Sequence, residues 1–100
     1  MLRFSLNNLV MKAKFSPAVQ KRLAKLQKRD KKLFVRIQKQ IALFESNPKH
    51  HSLRLHELTG NLENTWSISI TKSIRMVYRH LEDNVAYCIK IGTHDEVYEK

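Results

Sequence analysis

The segment IGTHDEVY (91–98) sets an imidazole, His94, four residues ahead of a phenol, Tyr98, just after a glycine. Upstream, IRMVYRH (74–80) carries Arg75 and Arg79, and His56 stands immediately before ELTG. Cutting RNA within the chain needs three functions. A base must take the proton of the 2′-OH, an acid must protonate the departing 5′-oxygen, and a cation must meet the charge that grows on phosphorus. Histidine titrates near neutrality and serves as either acid or base. Arginine stays charged and grips phosphate oxygens through two donors. A tyrosine can stack on a splayed base, worth ~1–3 kcal/mol, or pass a proton. His56, Arg75, His94 and Tyr98 together supply this chemistry without a metal, and no carboxylates cluster in the sequence to hold Mg²⁺, so no cofactor is expected. Singly, each has a plainer reading: Arg75 as a surface arginine, His94 and His56 as solvated histidines, Tyr98 as a packing residue. His50 and His51 are adjacent, so on an extended segment they point apart, and no Cys completes a metal site with them. His80 ends a strand at a turn and reads as structural or exposed.

The flanking sequence predicts what holds these residues. MKAKFS (11–16) alternates and reads as a short strand running into Ser16 as helix N-cap and Pro17 at the first helical position. Val19, Leu23 and Leu26 recur at helical spacing. Asp30 can cap a second helix with the stripe Leu33, Phe34, Ile37, Ile41 and Phe44, which SNP (46–48) stops. Two amphipathic helices joined by about three residues make an antiparallel hairpin.

After residue 60 the period changes from 3.6 to 2. Trp66, Ile68 and Ile70 alternate with Ser67, Ser69 and Thr71, and further strands are predicted over 74–80 and 85–91, with tight turns at KS and EDN. Short connections imply an antiparallel meander. The expected architecture is α+β, in the order β-α-α-β-β-β, with the helical hairpin packed on one face of the meander and the other face open. Strand parity puts Arg75 on the open face with Ser67 and Ser69, while His94 and Tyr98 reach its rim from one side and His56 from the other. Residues 11–100 form one domain in this plan, and residues 1–10 are an N-terminal extension or an edge strand.

Charge is unevenly spread. Residues 1–40 hold twelve Lys/Arg and one acid, whereas residues 41–100 hold seven Lys/Arg and eight acids. The polycationic half, chiefly Lys21, Arg22, Lys25, Lys28, Arg29, Lys31 and Lys32, would attract nucleic-acid phosphate or an acidic protein segment. No apolar run approaches a membrane span, no secretory signal is evident, and the single cysteine, Cys88, reads as a buried thiol in a reducing compartment. A cytoplasmic protein is expected.

MKAKFSPAVQKRLAKL, LRLHELTGNLENTWSISI, IRMVYR and IGTHDEVY, in that order, resemble the RelE/ParE superfamily of type II toxins, and most nearly its RelE/StbE and YafQ-like branch, over residues 11–98. The resemblance implies the toxin of a type II toxin–antitoxin system, a ribosome-dependent endoribonuclease that cuts mRNA in the ribosomal A site. Its partners would be the ribosome, mRNA and a cognate antitoxin that wraps it in a hetero-oligomer. It implies that Arg75 stabilises the phosphate, that His94 and His56 are acid–base groups, and that Tyr98 stacks on the nucleotide or assists proton transfer. The basic hairpin and Arg79 would bind RNA. Many active relatives carry Lys or Arg where this chain has Ser67 and Ser69, and YafQ-like members carry His and Asp where Ser69 and Ser73 stand. The ParE branch keeps the fold but acts on DNA gyrase without the ribonuclease set. A gyrase inhibitor, or a catalytically weak module that only binds its antitoxin, are therefore the alternatives.

Overall fold

In the computed structural model of the chain, residues 10–58 and 64–98 are described. The extension or edge strand expected at residues 1–10 lies, apart from Val10, outside them. The elements run β1 (Lys12–Phe15), α1 (Pro17–Arg29), α2 (Lys31–Ser46), β2 (His56–Glu57), β3 (Thr65–Ser69), β4 (Ile74–Leu81), β5 (Val85–Thr93) and α3 (His94–Tyr98). Single 3₁₀ turns stand at His51–Leu53 and Glu82–Asn84.

Both predicted caps are in place. Ser16 Oγ accepts from Val19 N at 3.2 Å, and Asp30 Oδ1 accepts from Leu33 N at 3.1 Å. Asp30 also donates its own N–H to Leu26 O at 2.8 Å, so one residue closes α1 and opens α2. The hairpin connection is thus shorter than the three residues expected. A single aspartate takes the place of a loop.

The sheet order is β1-β5-β4-β3-β2. β3, β4 and β5 form the antiparallel meander that the period of two predicts. β1 pairs parallel with the first half of β5, Lys12 opposite Val85 through Phe15 opposite Cys88, so the sheet as a whole is mixed. A parallel pair needs a long crossover, and the helical hairpin is the first part of it. The two-residue β2 lies antiparallel on β3.

One face of the sheet and the hairpin share the core. Ile68, Met76, Ala86 and Cys88 are fully buried against Val19, Ile37 and Phe44 from the helices. Phe44 packs on Tyr78 with ring centroids 5.0 Å apart. Strict alternation in VAYCIKI would drive Lys90 into this core beside Ala86 and Cys88. A bulge prevents it: Val77 faces Lys90 while Tyr78 faces Cys88, so Ile89 has no opposite partner and the parity of β5 reverses there. Ile91 joins the core and Lys90 is exposed on the far face.

Candidate active site

Residues directly opposed across a sheet share a face. His56 opposes Ser67, which opposes Val77, and one pair further along Ser69 opposes Arg75, which opposes Gly92. His56, Ser67, Ser69 and Arg75 therefore all face away from the hairpin, as strand parity predicts for Ser67, Ser69 and Arg75; the pairing of β2 with β3 brings His56 to the same face.

That face is not open. The last described residues form α3, which lies across it, with Val97 5% exposed. Ser67, expected on an uncovered surface, is 0% exposed, and Val77 opposite it is 3% exposed. A capping box starts the helix: Thr93 N donates to Glu96 Oε1 at 2.8 Å, and Glu96 N donates to Thr93 Oγ1 at 3.3 Å. Arg22 Nη2 of α1 donates to the same carboxylate oxygen at 3.0 Å. The Glu96 carboxyl is held below its usual range by the Thr93 N–H first, then by Arg22. Gly92 makes this possible, because a Cβ there would collide with Glu96 Oε1 and sit 3.2 Å from its Cβ. The T-x-x-E signature at Thr93–Glu96 is visible in the sequence and is the signal for this helix, which the expected β-α-α-β-β-β order lacks.

α3 brings the phenol onto the guanidinium. Arg75 Nε donates to Ser67 Oγ and to Tyr98 OH, each at 2.9 Å, and the two hydroxyls lie 2.5 Å apart. The ring of His94 sits edge-on to Tyr98 with centroids 4.5 Å apart. Imidazole, phenol and guanidinium thus form one contiguous cluster, with His94 largely exposed and its Nδ1 3.8 Å from Asp95 Oδ1. Arg75 Nη2 is buried and has no hydrogen-bond partner among the described residues. An orphaned donor on a cation costs more than the ~1–3 kcal/mol of a neutral group, unless an anion meets it. The arrangement uses Nε for anchoring and leaves Nη2 without an acceptor among the described residues.

His56 is exposed on β2, its Nδ1 3.2 Å from Arg54 O, one strand away from the cluster on the same face. Arg79 is also exposed and opposes Tyr87, which in turn opposes Lys14 of β1. Tyr87 and Lys14 thus join the face, although neither was singled out from sequence. Parallel pairing of β1, which periodicity does not reveal, puts Lys14 there.

The hairpin cations behave differently. Lys21, Arg22, Lys25, Lys28, Arg29, Lys31 and Lys32 are all exposed, but on helices packed against the opposite side of the sheet. The apolar stripes of α1 and α2 must meet the apolar sheet face, so their charge points away from it. These cations therefore do not border the Arg75 face: among them only Arg22 reaches across, through Glu96. His50 and His51 also depart from expectation. They lie at a 3₁₀ turn rather than an extended segment, and their rings stack at 4.5 Å. His50 Nδ1 accepts from Ser52 N at 3.1 Å and caps that turn. Among the described residues no three of His, Cys, Asp and Glu gather as metal ligands do.

The family model for the ParE toxin of type II toxin–antitoxin systems, parDE, matches residues 13–98. No curated protein sequence matches. Among solved structures, a YoeB/ParE toxin from Agrobacterium tumefaciens is 22% identical, with a TM-score of 0.68 over 84% of this chain and 99% of that one. The YoeB–YefM complex from Staphylococcus aureus aligns with a TM-score of 0.69 at 22% identity, covering 84% of this chain and 97% of that one. YafQ from E. coli strain BL21(DE3) aligns with a TM-score of 0.67 at 16% identity, over 88% and 98% of the two chains. At these identities the likeness is one of fold.

Proposed function

The chain belongs to the ParE toxin family of type II toxin–antitoxin systems, within the RelE/ParE superfamily, and from that premise we propose that it is a cytoplasmic, ribosome-dependent mRNA endoribonuclease. The observation that carries this reading is the Arg75–Ser67–Tyr98 cluster, with a buried guanidinium nitrogen that has no partner among the described residues and an exposed imidazole at its edge. In the proposed reaction the 2′-oxygen of the substrate attacks its own phosphorus and the bond to the 5′-oxygen breaks. The products are a 2′,3′-cyclic phosphate and a 5′-hydroxyl. His94 and His56 divide the proton transfers, each able to be base or acid near neutrality. Arg75 stabilises the charge on the phosphoryl oxygens through its terminal nitrogens. Tyr98 OH is engaged by Arg75 and Ser67, so Tyr98 acts as a positioning residue for the guanidinium while its ring packs on His94.

The hairpin cations and Arg79 would contact rRNA or mRNA phosphates, from opposite sides of the molecule. A solved relative, YoeB, occurs in complex with YefM. By analogy a cognate antitoxin of this chain would cover its basic surfaces and give a toxin–antitoxin hetero-oligomer. Induced expression should arrest growth, and Arg75→Ala with His94→Ala should relieve the arrest. Toxicity unchanged in that double variant would refute cleavage by these groups. The match to a ParE family model favours one second reading, inhibition of DNA gyrase without RNA cleavage. Trapped DNA breaks with intact mRNA would establish it instead.

A further inference from the structure

Arg75 also lines a second cavity. It has a volume of about 520 Å³ and lies beside the end of β3 beyond the reach of the short β2. Three more cations converge on it: Arg36 from α2, Arg54 from the 3₁₀ turn, and Lys72 from the β3–β4 turn. No acid lines it, and none of the four is ion-paired among the described residues.

The elements that carry Arg36, Lys72 and Arg54 are each fixed locally. Gln40 Nε2 donates to Ser69 O at 3.1 Å, tying α2 to the β3 edge, and Arg36 stands one helical turn before Gln40 on the same flank. The turn that carries Lys72 is fixed by Thr71 Oγ1, which accepts from Ser73 N and Ile74 N at 3.1 and 3.0 Å. The His50 cap orders the 3₁₀ turn that ends in Arg54, a residue in the left-handed region at φ 47°. Four like charges around one cavity repel one another unless an anion enters. Guanidinium groups match the tetrahedral oxygens of a phosphodiester through paired donors.

We propose that this cavity is a second phosphate subsite. It holds the phosphodiester next to the scissile one on the same RNA strand, with Arg75 shared between the two. The proposal rests on the RNA-cleaving role of the Arg75 cluster and adds to it the recognition of a neighbouring phosphate. It also gives a physical reason why Ser67 and Ser69 need not be cations here. The positive charge has moved from β3 onto the elements around its end, leaving Ser67 to anchor Arg75. A nucleic-acid strand fits better than an acidic peptide because Arg75, which lines the cavity, is also bonded to Tyr98, whose ring packs on His94, so aromatic groups that can face a base stand beside the phosphate-binding cations.

The test uses the full chain and uncleavable 2′-O-methyl oligonucleotides, a dinucleotide with one phosphodiester and a trinucleotide with two, titrated over a series of salt concentrations. The wild-type chain should bind the trinucleotide about tenfold tighter than the dinucleotide. Arg36→Gln/Lys72→Gln should shrink that preference, and adding Arg54→Gln should abolish it. The slope of log K against log salt should become shallower by about 0.7 for each phosphate that the variant no longer neutralises. Melting curves check that the exposed substitutions leave the fold intact, and the double variant serves where the triple one does not. Variants that keep the wild-type preference and slope would overturn the subsite, even if mRNA is still cut in cells. A glutamate-rich peptide bound through these residues, with no trinucleotide preference, would overturn it as well. A preference that the variants lose, in a chain that leaves cellular mRNA intact, would support the subsite and remove the cleavage reading alone.

Discussion

Tyr98→Phe removes one oxygen and keeps the ring beside His94. That oxygen accepts from Arg75 Nε at 2.9 Å and lies 2.5 Å from Ser67 Oγ. Arg75 keeps its other bond, to Ser67, so the guanidinium is loosened rather than freed. A hydrogen bond to a charged group contributes ~1.5–3 kcal/mol. If all of it is expressed in the transition state, the cleavage rate falls by roughly 10- to 150-fold, at about 1.4 kcal/mol per decade. The assay is single-turnover cleavage of mRNA on programmed ribosomes across a pH series. A positioning role lowers the rate uniformly and leaves the shape of the pH profile unchanged, because the phenol then transfers no proton. A rate within twofold of wild type would show that the phenol does not hold Arg75. Loss of one limb of the profile would show that Tyr98 transfers a proton, contrary to the role derived from its bonds.

The serines of β3 give an asymmetric expectation. Ser69→Lys, at a half-exposed position beside Arg75, should raise cleavage, whereas Ser67→Lys should abolish it, because Ser67 is fully buried under α3 and a lysine there must displace Tyr98; paired rate measurements decide. Phe44→Ala, in a site with no exposure, should destabilise the fold by roughly 3–5 kcal/mol in denaturant titrations. Burial pushes the Cys88 thiol up to about 12, with Glu45 adding to the rise, so iodoacetamide at pH 8 should label the unfolded chain and spare the native one. Glu96 is a carboxyl whose pKa is depressed in the fold. Its contribution to holding α3 is present above its ordinary value of 4.5 and lost as pH falls through the lower folded value. Near-UV signals from Tyr98 should therefore change in acid before the global unfolding transition, and a Glu96→Gln chain should lack that early step.

The local signals in this sequence were strong where one element decided the outcome. Ser16 and Asp30 cap the helices they precede, and the alternation of Trp66, Ile68 and Ile70 with serines gives β3 its two faces. Arg75 was placed on the correct face by parity alone. Two features depend on pairings remote in sequence and were hidden. The parallel pairing of β1 with β5 leaves no trace in periodicity, so Lys14 and Tyr87 were not seen as neighbours of Arg79. The bulge at Ile89 keeps Lys90 out of the core, and no turn residue marks it in the sequence. The helix at His94–Tyr98 was legible in principle, through Thr93 and Glu96, but five residues without an apolar stripe offer no helical period. The hairpin cations were identified correctly as exposed, yet the side of the sheet they occupy follows only from how their apolar stripes dock.

The most direct test of metal-independent cleavage by the Arg75–His94–Tyr98 face is the mapping of mRNA 5′ ends after induction, with a reporter transcript made in translated and untranslatable forms. New 5′-hydroxyl ends should appear within the translated reporter, be absent from the untranslatable one, and vanish in Arg75→Ala/His94→Ala. The same ends in the double variant, or intact transcripts in cells that have stopped growing, would contradict it.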